Sequence, residues 1–214
     1  MPKKTQLVPG ILAKNYISFK KQWSKVAPYF DYIQIDIVDG IFVPEKNNID
    51  PQKIKKLTRQ HKLEIHLIVK DVANYLSPWL KLRNVKKIVW HYEAEPEVKA
   101  IHCLNQYIKN QKIQTGLSLN PHTPLAKIKN ILPEFSTIQI MSVYPGRQGQ
   151  NFQKSALRKI QFLRKKYPRL NIEIDGGVND KNLSQIKKAG ANLFVLGSYL
   201  QTAKSIPLAV KKLK

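Results

Sequence analysis

Short apolar runs alternate with longer amphipathic segments along the whole chain. The apolar runs predict eight β-strands, at Leu7–Leu12, Tyr32–Val38, Leu63–Val69, Lys87–His91, Ile113–Leu119, Thr137–Val143, Asn171–Asp175 and Leu193–Leu196. The segments between them have roughly helical spacing, and the predicted helices are Ser18–Tyr29, Pro51–His61, Val72–Leu82, Pro96–Asn110, Pro124–Ile131, Lys154–Tyr167, Asp180–Lys188 and about Ile206–Leu213. The chain is therefore a repetition of strand–helix units.

This alternation indicates the fold class. Neighbouring parallel strands need a long crossover between them, which is usually a helix. Eight such units in 214 residues predict a (β/α)₈ barrel near the lower size limit of that fold, with an open doubly wound sheet as the alternative. No linker or shift in composition divides the chain, so we expect one barrel domain over residues 1–214. In such a barrel the functional groups lie where the strands end.

Several helix ends carry local signals. Pro51 and Pro96 are placed to occupy first helical positions, where the missing N–H costs little. Asn179 offers a capping side chain, and Gly190 is typical of a helix stop. Pro78 lies inside a predicted helix, which it should kink or shorten.

Polar side chains interrupt three of the predicted strands. Strand alternation places Asp36 and Gln34 on one face of the second strand, and a carboxylate inside an apolar run is costly unless it has a partner. Asp36 is therefore a metal ligand or a base, or else it is held by backbone or Lys partners. His66 alone would be a satisfied core residue, but with Asp36 on the neighbouring strand a metal site is favoured. Asp175 ends another apolar run.

Glycine-bearing turns follow the last three predicted strands. Free N–H groups in such turns, together with a helix N-terminus, favour anions, so these turns predict a phosphate site. Arg147 would add positive charge there, or it is simply solvated. The other positions are Gly146, Gly149, Gly176, Gly177, Gly197 and Ser198.

Three further residues carry weaker signals. Asp39 precedes a glycine, and we expect this pair to shape a turn. Glu173 shares the face of Asp175 but lies one layer deeper, or it reaches solvent near the start of its strand. His91 ends the fourth strand and is not informative alone.

Composition narrows the classes of partner and compartment. The 37 Lys and Arg residues exceed the 14 Asp and Glu residues, which gives a net charge of +23, but only six are Arg. Lys supplies solvated charge rather than bidentate recognition, so we expect nucleic acid binding to be non-specific if it occurs. The single Cys103 fits a reducing compartment, and no apolar stretch approaches the roughly 18–20 residues of a membrane span. We expect a soluble, cytoplasmic homo-oligomer that does not bind membranes.

From Pro9 to about Leu213 the sequence resembles the ribulose-phosphate 3-epimerase family. The resemblance rests on the order and spacing of several motifs, and a single one of them would not be specific. They are Asp36-Ile37-Val38-Asp39-Gly40 with Phe42-Val43-Pro44, His66-Leu67, Leu119-Asn120-Pro121 with Thr123-Pro124, Met141-Ser142-Val143 with Pro145-Gly146, Gly149-Gln150, Asp175-Gly176-Gly177-Val178 and Gly197-Ser198.

The resemblance implies a ribulose-phosphate-binding (β/α)₈ barrel that interconverts D-ribulose 5-phosphate and D-xylulose 5-phosphate. It implies one divalent metal ion, with zinc favoured over manganese, iron or cobalt. Asp36 and Asp175 look like the two acid/base carboxylates and also metal ligands, and His66 looks like a histidine ligand and lies at the substrate site. Met141 resembles the thioether beside the planar intermediate. The residues that look like the family's phosphate cradle are Gly146, Gly149, Gly177, Gly197 and Ser198.

These residue types suit an epimerisation. Removing a proton next to a ketone develops enolate charge, which a cation stabilises, and inversion needs a second group on the opposite face. Two nearby carboxylates without a cation repel each other, so one would keep its proton at neutral pH. We therefore interpret Asp36, Asp175 and the ion as one unit.

The sequence departs from the family pattern at positions around the predicted barrel mouth. Gln34 replaces a histidine, and its amide oxygen is a poorer zinc ligand than imidazole. The other departures are Gly10, Ile68, Tyr144, Arg147 and Gln148. They leave two alternatives to the pentulose enzyme. One is a 3-epimerase of another ketose phosphate, such as allulose 6-phosphate, and the other is a catalytically impaired barrel that binds phosphate or polyanions.

Overall fold

The computed structural model describes residues 5–213. Its strands are β1 (Gln6–Ile11), β2 (Tyr32–Val38), β3 (Lys62–Ile68), β4 (Val85–His91), β5 (Gln114–Leu119), β6 (Thr137–Met141), β7 (Asn171–Asp175) and β8 (Leu193–Leu196). Its α-helices are α1 (Tyr16–Val26), α2 (Pro51–Thr58), α3 (Val72–Leu80), α4 (Val98–Asn110), α5 (Ser155–Lys166), α6 (Leu183–Ala189), α7 (Ser198–Thr202) and α8 (Ile206–Lys212). Every predicted strand is present, with its ends within two residues of the prediction.

The strands form a closed barrel in chain order, from β1 to β8 and back to β1. Each neighbouring pair is parallel, including the closing pair of β1 and β8. The (β/α)₈ prediction is therefore confirmed and the open sheet is excluded. Because all eight strands run the same way, their carboxyl ends meet at one end of the barrel.

The apolar core lies between the strands and the surrounding helices. The alternating residues Ile33, Ile35 and Ile37 of β2, on the face opposite to Gln34 and Asp36, are buried in this layer. Their counterparts on the other face point into the barrel, where Gln34 and Asp36 meet other polar groups. The centre of the barrel is therefore polar, which is the condition for building a reactive site there.

One predicted helix is wrong. Residues Pro124–Ile131 do not form an α-helix but two 3₁₀ turns, at Leu125–Ile128 and Leu132–Glu134. Pro133 lies in the second turn, where it removes a backbone donor and disfavours helical backbone at the residue before it. Pro133 therefore interrupts any α-helix that would continue from Leu125 through Glu134. The prediction also missed α7, which has only five residues.

The helix-end signals were right only in part. Pro51 is the first residue of α2, and Gly190 ends α6 with a φ of 113°, as expected. Pro78 lies inside α3, which ends two residues later at Leu80. Pro96, however, precedes α4, which begins at Val98. Asn179 caps no helix, because its side chain accepts a hydrogen bond within a turn that comes before α6.

Candidate active site

Strand register brings the predicted acidic and histidine residues to one level at the carboxyl end of the barrel. Asp36 of β2 is paired with His66 of β3, and Met141 of β6 is paired with Asp175 of β7. All four side chains point towards a single cavity. His66 is fully buried, whereas the two carboxylates remain slightly accessible. The structure therefore assembles these residues at the end where barrel enzymes have their sites.

Asp36, His66 and Asp175 form a compact group of donor atoms. Nδ1 of His66 is 3.2 Å from Oδ1 of Asp36 and 3.6 Å from Oδ2 of Asp175. One ligand atom from each residue lies within 4.8 Å of the others. Two donors bound at 2.0–2.2 Å to a tetrahedral ion lie about 3.3–3.6 Å apart. The nitrogen and carboxylate donors thus fit an open zinc-type site with three protein ligands.

Gln34 points its amide nitrogen, not its oxygen, at the carboxylates. Its Nε2 donates to Oδ1 of Asp36 at 2.7 Å and to Oδ2 of Asp175 at 3.0 Å. Its oxygen accepts a hydrogen bond of 3.1 Å from Gln139, whose Nε2 also faces Glu173 at 3.4 Å. If the Gln34 amide turned its oxygen towards the carboxylates, its NH₂ group would face the NH₂ group of Gln139. Gln34, a doubtful candidate for a metal ligand in the sequence, donates hydrogen bonds to both carboxylates in this structure.

The two carboxylates share an unusual protonation state. Burial raises the pKa of Asp36 from 3.8 to about 7, although the hydrogen bond from Gln34 opposes the shift. Burial, together with the charge of Asp36, raises the pKa of Asp175 from 3.8 to about 7. At neutral pH the pair therefore populates both ionised and protonated carboxyl groups.

His66 has a second contact that the sequence did not predict. Its Nε2 lies 3.0 Å from Nε2 of His91, and the two buried rings are stacked at 5.0 Å. Burial lowers the pKa of both imidazoles, that of His91 to about 4. Both rings are therefore neutral near pH 7. The signal was present in the sequence, because His91 follows the same inward alternation as Lys87 and Val89.

A second polar layer lies one step deeper in the barrel. Lys87 forms ion pairs with Glu173 and, at 2.8 Å, with Glu64. Burial would raise the pKa of Glu173, but Lys87 holds it below the ordinary value. Burial and the charge of Glu173 keep the pKa of Glu64 high, and Tyr32 donates to Glu64 at 2.9 Å. Glu173 thus lies in the deeper layer and does not reach solvent.

The predicted glycine turns face the same cavity as the carboxylates. The cavity wall includes Met141, Gly146, Arg147, Gly149, Gly176, Gly177, Gly197 and Ser198. A Cβ on Gly177 would lie 2.7 Å from the backbone nitrogen of Phe152, so only glycine permits this close approach of two loops. Ser198 begins α7, whose first N–H groups have no acceptor within the helix. These groups can bind an anion.

Arg147 lies at the outer rim of the cavity. Its Nε donates to Glu45, and 72% of its side chain is exposed. The predicted positive charge is therefore present at the rim but is already paired. Beside it, the hydroxyl of Tyr144 lies 2.5 Å from His122.

Asp39 shapes its turn as expected, because it accepts hydrogen bonds from the backbone of Ile41, Phe42 and Lys70.

The closed barrel and its carboxylate–histidine cluster define a TIM-barrel enzyme. Sequence comparison identifies which one: the chain belongs to the ribulose-phosphate 3-epimerase family, whose profile matches residues 6–201. The ribulose-phosphate 3-epimerase of Helicobacter pylori J99 is 33% identical over 98% of this chain and 96% of the relative. The enzyme of the same name from Schizosaccharomyces pombe is 31% identical, over 94% of this chain and 88% of the relative.

A solved structure shows the same fold at lower sequence similarity. The 3-keto-L-gulonate-6-phosphate decarboxylase of Vibrio cholerae superposes with a TM-score of 0.73 and 12% identity, over 99% of this chain and 96% of that chain. This likeness establishes the barrel. Membership of the epimerase family establishes the class of enzyme, so the prediction of a carbohydrate isomerase is confirmed. Within residues 5–213, no helix is long and apolar enough to cross a membrane.

Proposed function

We propose that this chain interconverts D-ribulose 5-phosphate and D-xylulose 5-phosphate by a metal-dependent epimerisation at C3. The observation that carries the proposal is the convergence of Asp36 and Asp175 on one nitrogen of Gln34, at 2.7 and 3.0 Å. Two carboxyl groups held this close can act on the two faces of one carbon. The names of the curated relatives in the family support the pentulose as substrate.

The two carboxyl groups divide the proton transfer between them. The ionised carboxylate removes the proton from C3, and the electron pair moves into the neighbouring carbonyl to form an enediolate. The protonated carboxyl group then donates its proton to the opposite face of C3, and the carbonyl forms again. In the metal-free protein both pKa values are near 7, so one group of each kind is present at neutral pH.

Asp36, His66 and Asp175 would hold the metal ion. Their donor set suits zinc, and manganese, iron or cobalt also accept nitrogen and carboxylate ligands. A bound divalent ion supplies a Lewis acid that stabilises the negative charge developing on the substrate oxygens. Gln34 holds the two carboxylates in place through its amide hydrogens.

We place the phosphate of the substrate against the backbone of Gly177, Gly197 and Ser198. These residues share the cavity with the carboxylates, and the first N–H groups of α7, which have no acceptor within the helix, can bind an anion. Met141, paired with Asp175 and buried beside it, is placed to contact the planar intermediate. The phosphate therefore anchors the sugar with its C3 between the carboxyl groups.

A turnover assay on defined metal forms tests this proposal. Purified protein is freed of metal, reloaded with zinc, manganese, iron or cobalt, and supplied with D-ribulose 5-phosphate, and metal content is measured on the same samples. We expect D-xylulose 5-phosphate only from loaded protein. Folded protein that gives no turnover with any of the four metals contradicts the proposal for this substrate.

A larger ketose phosphate is the second candidate substrate. Gly10 provides no side chain at the cavity wall, and Tyr144 is 53% exposed at the mouth. Both features would suit a longer sugar, such as allulose 6-phosphate. A panel of pentulose 5-phosphates and hexulose 6-phosphates separates the candidates, because kcat/KM favours the pentulose under the first and the hexulose under the second.

We also propose that the enzyme works in the cytoplasm, since Cys103 is a free, exposed thiol, as a reducing compartment permits. The expected homo-oligomer stays a prediction. So does the expectation that any nucleic acid binding is non-specific. If such binding is non-specific, the affinity for nucleic acid should become very weak as the salt concentration approaches about 0.2 M.

A further inference from the structure

Two buried polar atoms face each other next to the metal-binding position. Nδ1 of His91 and Oε2 of Glu93 are 3.5 Å apart, and among residues 5–213 neither has a partner at normal hydrogen-bond distance. The side chain of Asn120, whose Oδ1 is a further acceptor without a partner, also interacts with His91, but less strongly than Glu93 does. A buried polar atom without a partner is costly, so each of these atoms is the natural partner of the other. A carboxylate can only accept a hydrogen bond, so the proton must lie on Nδ1 of His91.

The direction of the Glu93 carboxylate is set by its other oxygen. Oε1 of Glu93 accepts a hydrogen bond of 2.9 Å from the backbone nitrogen of Asn120 and a second one from the hydroxyl of Thr123. These donors belong to the turn after β5 and hold one oxygen in place. The remaining oxygen therefore faces His91.

The tautomer of His91 determines that of His66. With its proton on Nδ1, a neutral His91 can only accept at Nε2, so the 3.0 Å contact requires His66 to donate from its own Nε2. Nδ1 of His66 then carries a lone pair, aimed at Oδ1 of Asp36 at a distance of 3.2 Å. Two acceptors at this distance repel unless a proton or a cation lies between them.

We propose that His91 and Glu93 are positioning residues, which hold His66 in the tautomer whose Nδ1 lone pair binds the metal ion. This inference rests on the metal site of the proposed function. The order of donation runs from His66 to His91 to Glu93. Outer partners of this kind orient a ligating histidine, and their loss typically costs 10–100-fold in metal affinity.

Replacing Glu93 by glutamine reverses the order of donation without changing side-chain size. The backbone of Asn120 and the hydroxyl of Thr123 retain the oxygen of the new side chain, so its NH₂ group faces His91. His91 then accepts at Nδ1 and donates from Nε2, His66 accepts at Nε2, and the proton of His66 moves to Nδ1. That proton occupies the position of the lone pair that would bind the metal.

Cobalt titration of the full-length protein, followed by visible absorption at fixed pH, measures this effect. We expect Glu93→Gln to raise the Kd for Co²⁺ about 10–100-fold. The matched control is Glu95→Gln, which removes the same charge two residues along the chain and should leave the Kd unchanged. A folded Glu93→Gln variant that binds Co²⁺ within about twofold of the wild type overturns the proposal.

The tautomers can also be observed directly in the metal-free wild-type protein, without any substitution. Correlation of the imidazole ¹⁵N nuclei with the ring protons should show His91 protonated at Nδ1 and His66 protonated at Nε2. The opposite tautomers overturn the proposal even if Glu93→Gln fails to fold. The expected tautomers in a protein that binds no Co²⁺ support the positioning role and contradict the metal part of the proposed function.

Discussion

The barrel contains two polar layers, one step apart along the same strands. The carboxyl groups of the two layers differ in their partners and in their pKa values. The deeper layer pairs Glu64 and Glu173 with the buried Lys87. The upper layer holds Asp36 and Asp175, and in the part of the chain that the structure describes neither forms an ion pair with Lys or Arg. Lys87 accordingly keeps the pKa of Glu173 low, and only that of its partner Glu64 is raised, whereas the pKa values of both Asp36 and Asp175 rise to about 7.

The difference separates a structural layer from a reactive one. In the deeper layer Lys87 neutralises the ionised Glu173, and the raised pKa of Glu64 keeps that group protonated, so the pair needs no ion from solution. The upper pair lacks a protein cation and opens into the cavity, which leaves it free to bind a metal ion or to exchange protons with a substrate. Gln34 links the layers, because Gln139 and Glu173 below it fix the direction of its amide.

The largest expected effect is on turnover when one upper carboxylate is removed. Asp175→Asn keeps the shape of the side chain but cannot return a proton, so kcat should fall by 10²–10⁴-fold or more. The fold should survive, because burial already disfavours the ionised form of this group. Steady-state kinetics and thermal unfolding of the same sample check both points, and activity close to that of the wild type would contradict the assignment.

The lower layer should respond in stability rather than in turnover. Lys87→Met leaves Glu173 buried without its cation, and losses of this kind are about 3–5 kcal/mol of unfolding free energy. Urea unfolding measures the loss. The double variant Lys87→Met with Glu173→Gln removes both charges and should recover part of the stability. An unchanged midpoint for the single variant would show that the lysine is dispensable.

Removal of the histidine ligand should act on metal content first. His66→Ala deletes one of three protein donors, so metal affinity should fall by at least the roughly 10–100-fold that loss of an outer partner costs. Elemental analysis after dialysis checks this prediction, with His102→Ala as a control at an exposed histidine. If His66→Ala keeps full metal occupancy, His66 is not a ligand.

The stability of the metal-free protein should depend on pH through the upper layer. The folded-state pKa values of Asp36 and Asp175 lie near 7, above the ordinary 3.8, so the native state binds more protons than the unfolded state between these values. Their contribution to the free energy of unfolding is fully present below about pH 4 and decreases as the pH rises to about 7. Asp36→Asn should make the unfolding free energy less dependent on pH in this range. A wild-type unfolding free energy that increases with pH would contradict the raised pKa values.

The smallest effect is expected at the exposed ion pair of the rim. Arg147→Ala breaks the contact with Glu45, and such pairs contribute about 0–1 kcal/mol to stability. If Arg147 also attracts the substrate phosphate, KM should rise while kcat and the unfolding midpoint stay the same. An unchanged KM limits the role of Arg147 to the rim pair. Glu45→Gln, which frees the arginine, is the matched control.

Much of the fold could be predicted because its signals are local. Apolar runs marked all eight strands, and strand alternation placed Gln34 and Asp36 on one face of β2, which the structure shows to be the inner face. The Pro124–Ile131 prediction was wrong because spacing suggested an α-helix, while the structure has 3₁₀ turns at Leu125–Ile128 and Leu132–Glu134, the second of which contains Pro133. No role was predicted for Lys87, and His91 was not informative alone, since Glu173 and His66, their partners, lie on other strands and only the fold brings them together.

The sequence alone determined the eight-unit barrel, the family motifs and the identity of the groups at the strand ends, because these depend on periodicity and on order along the chain. Tertiary structure decided how those groups divide between the two layers, which direction the amide of Gln34 faces, and that Glu45 already pairs with Arg147. These properties depend on distances between strands far apart in sequence. One step along the strands separates the carboxyl groups that pair with a lysine from those left open for a cation.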